Sequence, residues 1–193
     1  MRTVVFILAL VMYSNINAQS VPVYELDTLK SVIHWKGTYA FQFSEHNGTV
    51  HFSKGTLQTL MGNVVGGEFI INMTSIDNED YRNGKGPVKH LRDSDFFDVS
   101  RFPEARLKIT KVEYLPEENI HRMMADLTIK GITKQQQFYA NLDGTKNTFN
   151  TKLKIDRTRW GITYNNKLKD HSISDAVEFD VRLVFKPAPN AMK

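Results

Sequence analysis

The chain has 193 residues, of which 41% are hydrophobic, contains no cysteine and carries a formal net charge of +4. Without cysteine there is neither a disulfide to hold the fold nor a thiolate to do chemistry, so stability must come from the core. The charges alternate in sign along the chain rather than cluster, which argues against a nucleic-acid partner, whose usual footprint is a basic patch.

The N-terminus reads as a targeting segment. Arg2 precedes an apolar run from Val4 to Tyr13, and Ser14-Asn15-Ile16-Asn17-Ala18 leads to Gln19. A charged start, a short apolar stretch and a small residue at the cut describe a secretory signal peptide over residues 1–18. The run is too short to cross a bilayer as a helix, which takes about 20 residues. The expectation is an exported protein, periplasmic or secreted, whose mature part, 19–193, forms a single domain.

A short strand is expected around Val23 to Leu26. Residues 33–43 then alternate, with Ile33, Trp35, Tyr39, Phe41 and Phe43 on one face and His34, Lys36, Thr38 and Gln42 on the other, the period of a half-buried strand. Asn47-Gly48 and Lys54-Gly55 read as punctuation of the hairpin region that follows, with Val50 and Phe52 on its buried face. Over residues 63–75, Val65, Phe69, Ile71 and Met73 share a side, and the paired Gly66-Gly67 marks a bulge, a bend or a close backbone approach. Asp77, Glu79 and Asp80 lead into the glycine-bearing Asn83–Gly86. They lack the twelve-residue calcium-loop pattern and read as a solvated loop.

Pro87 to Pro103 is the one long break in the alternation. It sets Leu91, Phe96, Phe97 and Phe102 among charged and imidazole side chains, which suits a short helix or capped turn laid across one end of a β-structure. Asp93, Ser94, Asp95 and Asp98 favour caps and turns because their side chains bond nearby backbone N–H groups. His90 with Asp93, Asp95 and Asp98 invites a metal or acid–base reading, but the spacing matches no ligand signature, and caps and turn bonds are the better account.

After Pro103 the strands resume. Leu107 and Ile109 alternate in one phase and Val112 and Tyr114 in the other, which predicts a bulge near Thr110. Pro116 to Asn119 makes a turn, and Met123, Ala125, Leu127 and Ile129 form the next inward face. Lys130-Gly131 turns the chain into a strand with Phe138, Ala140 and Leu142, and Asp143-Gly144 signals a hairpin. Phe149, Leu153 and Ile155 mark another strand, ended by Asp156 to Gly161, and Val177, Phe179, Val181, Leu183 and Phe185 mark the last. About eight antiparallel strands joined mostly by short turns, with no long 3.6-period segment, favour an all-β, eight-stranded barrel whose one end is covered by the short helical segment. There is no nucleophile elbow, no phosphate-cradling loop and no metal signature, so neither catalytic residues nor a cofactor are assigned.

Tyr24-Glu25-Leu26-Asp27, Ser31 to Trp35, Thr74-Ser75-Ile76-Asp77, His90 to Asp98 with Phe102-Pro103-Glu104-Ala105, and Leu127 to Thr133 together resemble the YceI-like family of exported, lipocalin-like barrels. The resemblance implies a protein that holds a polyisoprenoid, as a lipid or a quinone tail, for sequestration or transport. Its partner is then an apolar isoprenoid-type lipid, with transient membrane contact and homodimerisation left open. Read from the residues, Trp35, Phe41, Phe43, Phe52, Phe69, Ile71, Leu127 and Phe138 either fill the barrel as core or line an apolar pocket; the resemblance implies the pocket. The alternative is an enzyme acting on such a lipid, with His90 and its neighbouring carboxylates at the barrel mouth.

Overall fold

The computed structural model describes residues 21–39, 45–78, 87–164 and 173–186. The alternating stretches form β1 (Val23–Glu25), β2 (Val32–Tyr39), β3 (Glu45–Leu60), β4 (Asn63–Asp77), β5 (Glu104–Leu115), β6 (Ile120–Ile129), β7 (Ile132–Asp143), β8 (Thr148–Asp156) and β9 (Ile173–Val184), with α1 (Pro87–Arg92) between β4 and β5. From β2 to β9 each strand pairs antiparallel with the next, and β9 pairs back onto β2. The result is a closed, eight-stranded up-and-down barrel, and closure removes the open edges that a flat sheet would leave. β1 lies outside the ring, paired to the second half of β3 with Val23 opposite Gln58.

The inward faces follow the sequence pattern closely on β6 and β9, where Met123, Ala125, Leu127, Ile129, Val177, Val181 and Leu183 are all buried. At Lys130-Gly131 both residues have positive φ, 52° and 75°, the pair that twists a two-residue hairpin the right way for its strands. Thr110 sits in the expected bulge, between Ile109 and Lys111, where the β5–β6 register shifts.

Three expectations need correction. Asn47-Gly48 and Lys54-Gly55 do not punctuate a hairpin; both lie inside β3, which runs for 16 residues. The turn is Met61-Gly62, again with positive φ at both residues, 50° and 81°. The two glycines serve packing instead: a Cβ on Gly48 would fall 2.7 Å from Cζ2 of Trp35, and one on Gly55 would fall 2.5 Å from Cδ1 of Phe69. Val65 does not face inward. The β3–β4 register shifts between Gln58 and Thr59, so Val65 bulges outward at 45% exposure and Val64 takes the buried place. The adjoining Gly67 is a close approach as well, since a Cβ there would lie 2.8 Å from the Thr56 carbonyl. Thr38, expected on the outer face, lines the barrel interior because the β2–β9 register shifts between Gly37 and Tyr39.

The segment from Pro87 to Pro103 opens with α1 and continues as turns. Val88 and Phe96 are buried, and Leu91 and Phe97 pack against the core. The buried Asp98 adopts a left-handed φ of 50° and its N–H donates to the Asp93 carbonyl at 2.9 Å. Its carboxylate accepts from Ser100 Oγ and pairs with Arg101, both at 3.4 Å. The expected N-terminal segment 1–18, Phe41, Phe43, Glu79, Asp80 and the Asn83–Gly86 loop lie outside the described residues.

Candidate functional site

The inward faces do not fill the barrel. They leave a cavity of about 520 Å³ whose wall draws on all eight barrel strands, for example Ile33, Val50, Phe69, Ala105, Leu127, Phe138, Phe149 and Val177. That volume lies within the range of small-molecule pockets, roughly 300–1,000 Å³. Trp35, Phe52, Phe69, Ile71, Leu127 and Phe138, the six expected pocket residues that are described, all line it and are all buried. Phe69 stands edge-on to Phe52 at 6.2 Å and to Phe185 at 6.3 Å between ring centres, so the aromatic wall is itself packed. The eight expected residues left out Phe149, Phe179 and Leu183, which belong to the wall by the same inward parity.

One end of the cavity carries the polar side chains. Tyr39, at the end of β2, hydrogen-bonds through Oη to Nε2 of His46, at the start of β3, at 3.0 Å. His90 of α1 stacks on Tyr164 with ring centres 5.8 Å apart, and all four residues line the cavity. The same end takes Leu91, Phe96 and Phe97 from the segment after β4. Two cations hold that segment in place. Lys130 Nζ donates to the carbonyls of Ser94 and Phe96 at 3.1 and 2.9 Å. Arg157, 1% exposed, donates to the carbonyls of Ile162 (2.7 Å) and Ser174 (3.1 Å), pairs with Asp175 (3.0 Å) and lies over the Phe96 ring. Burial pulls the Arg157 pKa below the usual guanidinium range, against the opposing pull of Asp175 and Asp156.

The wall itself is uncharged: among the described residues lining the cavity there is no Lys, Arg, Asp or Glu. Thr151 Oγ1 donates to the Tyr139 carbonyl at 2.6 Å, and Ser174 Oγ accepts from the Ala176 N–H at 3.1 Å. Trp35 differs. Its indole Nε1 is buried and has no hydrogen-bond partner among the described residues. An unmade bond of that kind costs about 1–3 kcal/mol.

His90 and the three aspartates do not gather. Asp93 and Asp95 are exposed, and the Asp98 carboxylate is engaged with Ser100 and Arg101. Among the described residues no group of three or more His, Cys, Asp or Glu is placed to hold a metal ion. What the geometry offers is an apolar sleeve with a polar rim, able to take a long apolar chain out of water at about 25 cal/mol per Å² buried.

Comparison with known proteins follows the same lines. Residues 24–185 match the YceI-like domain. A UPF0312 protein of Pseudomonas putida (strain W619) is 38% identical over 56 residues, a stretch that covers 29% of this chain and 29% of that relative's length. Among solved structures, BcnA of Burkholderia cenocepacia superposes with a TM-score of 0.69 at 18% identity, covering 82% of this chain and 98% of BcnA. A Campylobacter jejuni YceI protein superposes with a TM-score of 0.51 at 20% identity, covering 64% of this chain and 74% of its own. At these identities the two structures speak for the fold, a closed β-barrel.

Proposed function

The chain belongs to the YceI-like family, and on that premise we propose that it is a binding protein which holds a polyisoprenoid, as a lipid or a quinone tail, inside its barrel. The observation that carries this reading is the cavity itself: about 520 Å³, walled by inward aliphatic and aromatic side chains with no charge among its described residues. A flexible isoprenoid chain is poorly soluble, and such a wall gives affinity by burial rather than by headgroup chemistry. The charged start at Arg2, the apolar run from Val4 to Tyr13 and the small Ala18 support export, so the protein sequesters or carries its lipid outside the cytoplasm.

The test is to purify the protein from its own compartment and extract it with organic solvent for mass spectrometry. Co-purified isoprenoid, with a mature N-terminus at Gln19, is expected. No extracted lipid together with no binding of added polyprenyl lipids would defeat the reading. Ala105 faces the cavity and is buried; Ala105→Phe should lower lipid uptake severalfold while leaving the circular dichroism spectrum of the barrel unchanged. The catalytic alternative makes a separate prediction. Since His90 lines the cavity, His90→Ala in an enzyme abolishes turnover of a bound lipid and keeps its binding, whereas in a carrier no turnover exists to be lost.

A further inference from the structure

We propose that the outer face of the β3–β4 hairpin tip, together with β1, is a membrane-docking surface that sits shallowly in the interface of a neutral lipid bilayer. The proposal goes beyond the carrier reading and does not depend on what the barrel holds. Val23 pairs with Gln58 and the Thr59 N–H donates to the Pro22 carbonyl at 3.0 Å, so the same register sets Val21 opposite Leu60. Val65 bulges outward on β4 beside them, and Met61 forms the turn with Gly62. All five apolar side chains are exposed, from 40% for Val21 to 85% for Met61. Neither 21–23 nor 58–66 contains a Lys, Arg, Asp or Glu, in a chain that is 24% charged. Single exposed apolar residues are ordinary, but a patch joined across three strands marks an interaction surface.

The surroundings choose the occupant. β3 pairs with β2 only as far as Val50 and β4 with β5 only from Gly67, so past these points the hairpin is flanked by β1 alone among the described strands. A stable protein interface takes about 20–30 residues a side, far more than this tip offers, whereas attachment to a bilayer interface grows with whatever apolar area is buried. The first charged row lies at Thr56, which stands opposite both Glu25 and Glu68. Both are paired, Glu25 with Lys186 at 3.2 Å and Glu68 with Arg106 at 2.8 Å. The border thus presents balanced pairs rather than the basic cluster that anionic headgroups select. Chain connectivity points the same way. On the export reading the apolar run from Val4 to Tyr13 engages the membrane first, and only Gln19 and Ser20 separate Ala18 from Val21, inside the patch. The end held nearest the membrane is then this one, at the far end of β3 from His46 and the polar rim.

The test floats protein purified from its own compartment with vesicles of pure phosphatidylcholine, at physiological and at high salt. Binding that does not fade with salt is expected. The double variant Leu60→Thr with Met61→Asn keeps the strand and left-handed turn preferences. It is expected to lower vesicle binding about tenfold with an unchanged circular dichroism spectrum. Ile132→Thr, on an exposed side chain at the rim end, is expected to leave binding as it is. A spin-labelled lipid should broaden the methyl signal of Met61 and spare that of Met123, which is fully buried. Absence of vesicle binding overturns the proposal, as does binding that requires anionic lipid and fades with salt. Binding that the double variant does not weaken overturns it as well. A dimer that the double variant dissolves, with no vesicle binding, gives the patch to a second copy of the chain and overturns the membrane assignment. Each of these failures leaves the carrier reading standing, because none of them touches the cavity.

Discussion

At Gly48 the absence of a side chain decides how two strands meet. A Cβ there would press on the Trp35 ring, 2.7 Å from Cζ2, and on the Asp77 carbonyl, so the ring and a neighbouring strand would both have to move. Gly48→Ala is therefore expected to destabilise the protein by about 1–3 kcal/mol, the usual cost of overpacking a well-filled interior. Gly144, in a hairpin turn with nothing within 4 Å of an added Cβ, is the control, and Gly144→Ala should stay within about 0.5 kcal/mol of wild type. Chemical denaturation checks both, and equal midpoints for the two variants would remove the packing account. Asn47-Gly48 reads as hairpin punctuation from local turn chemistry, yet it lies inside β3, where its pairing with Lys36 and Trp35 decides its place. Trp35 is the opposite case. Its inward direction was legible from parity, but its unpaired N–H was not, because hydrogen-bond completion depends on residues brought together from distant strands.

Elements show the same division. Alternation gave β6, β7, β8 and β9 nearly in full, since one unbroken phase runs through each inward face. Between β3 and β4 the register shifts at three places, and each shift resets the phase that the sequence was read in. Val64 and Val65 test this directly. Val64→Thr puts a hydroxyl into the core and should cost about 1–3 kcal/mol, whereas Val65→Thr, on the exposed bulge, should change stability by no more than about 0.5 kcal/mol; reversed values would mean that the bulge is misplaced. The link between elements at the rim was invisible to pattern reading. Arg157 joins the turn after β8 to the start of β9 and, through the Phe96 ring, to the segment that follows α1. Arg157→Met would strand the Ile162 and Ser174 carbonyls, and a loss of about 2–4 kcal/mol is expected. Lysine should not restore it, because one ammonium cannot replace a planar fork that reaches several acceptors. Recovery of the wild-type denaturation midpoint by Arg157→Lys would contradict that.

For the whole molecule, closure is the property that no local pattern encodes: β2 and β9 meet across more than a hundred residues of chain, with Trp35 opposite Phe179 inside and Lys36 bridging to Glu178 at 3.5 Å outside. A chain without disulfides then relies on this closed core over the whole pH range, and the lowered pKa values of His121, Glu113, Glu178 and Asp156 act in one direction on the acid side. Burial holds the pKa of His121 below its ordinary value of 6.5, and its Nδ1 is buried with no partner among the described residues. Between 6.5 and that lowered value the unfolded chain binds the proton and the folded chain does not, so stability falls as pH falls through this window and levels off beneath it. Carboxylates add a second stage. The Arg122 hydrogen bond holds Glu113 below 4.5, as the Lys154 hydrogen bond does Glu178, and the Thr158 hydroxyl and N–H hold Asp156 below 3.8. Their contribution is complete above those ordinary values and is lost as pH falls through the lowered ones. Denaturation midpoints measured from pH 8 to pH 3 should therefore decline in two steps, and His121→Gln should abolish the upper step while sparing the lower. A midpoint that rises between pH 7 and pH 5, or an upper step that survives in His121→Gln, would show that His121 is not the group that couples proton binding to folding there.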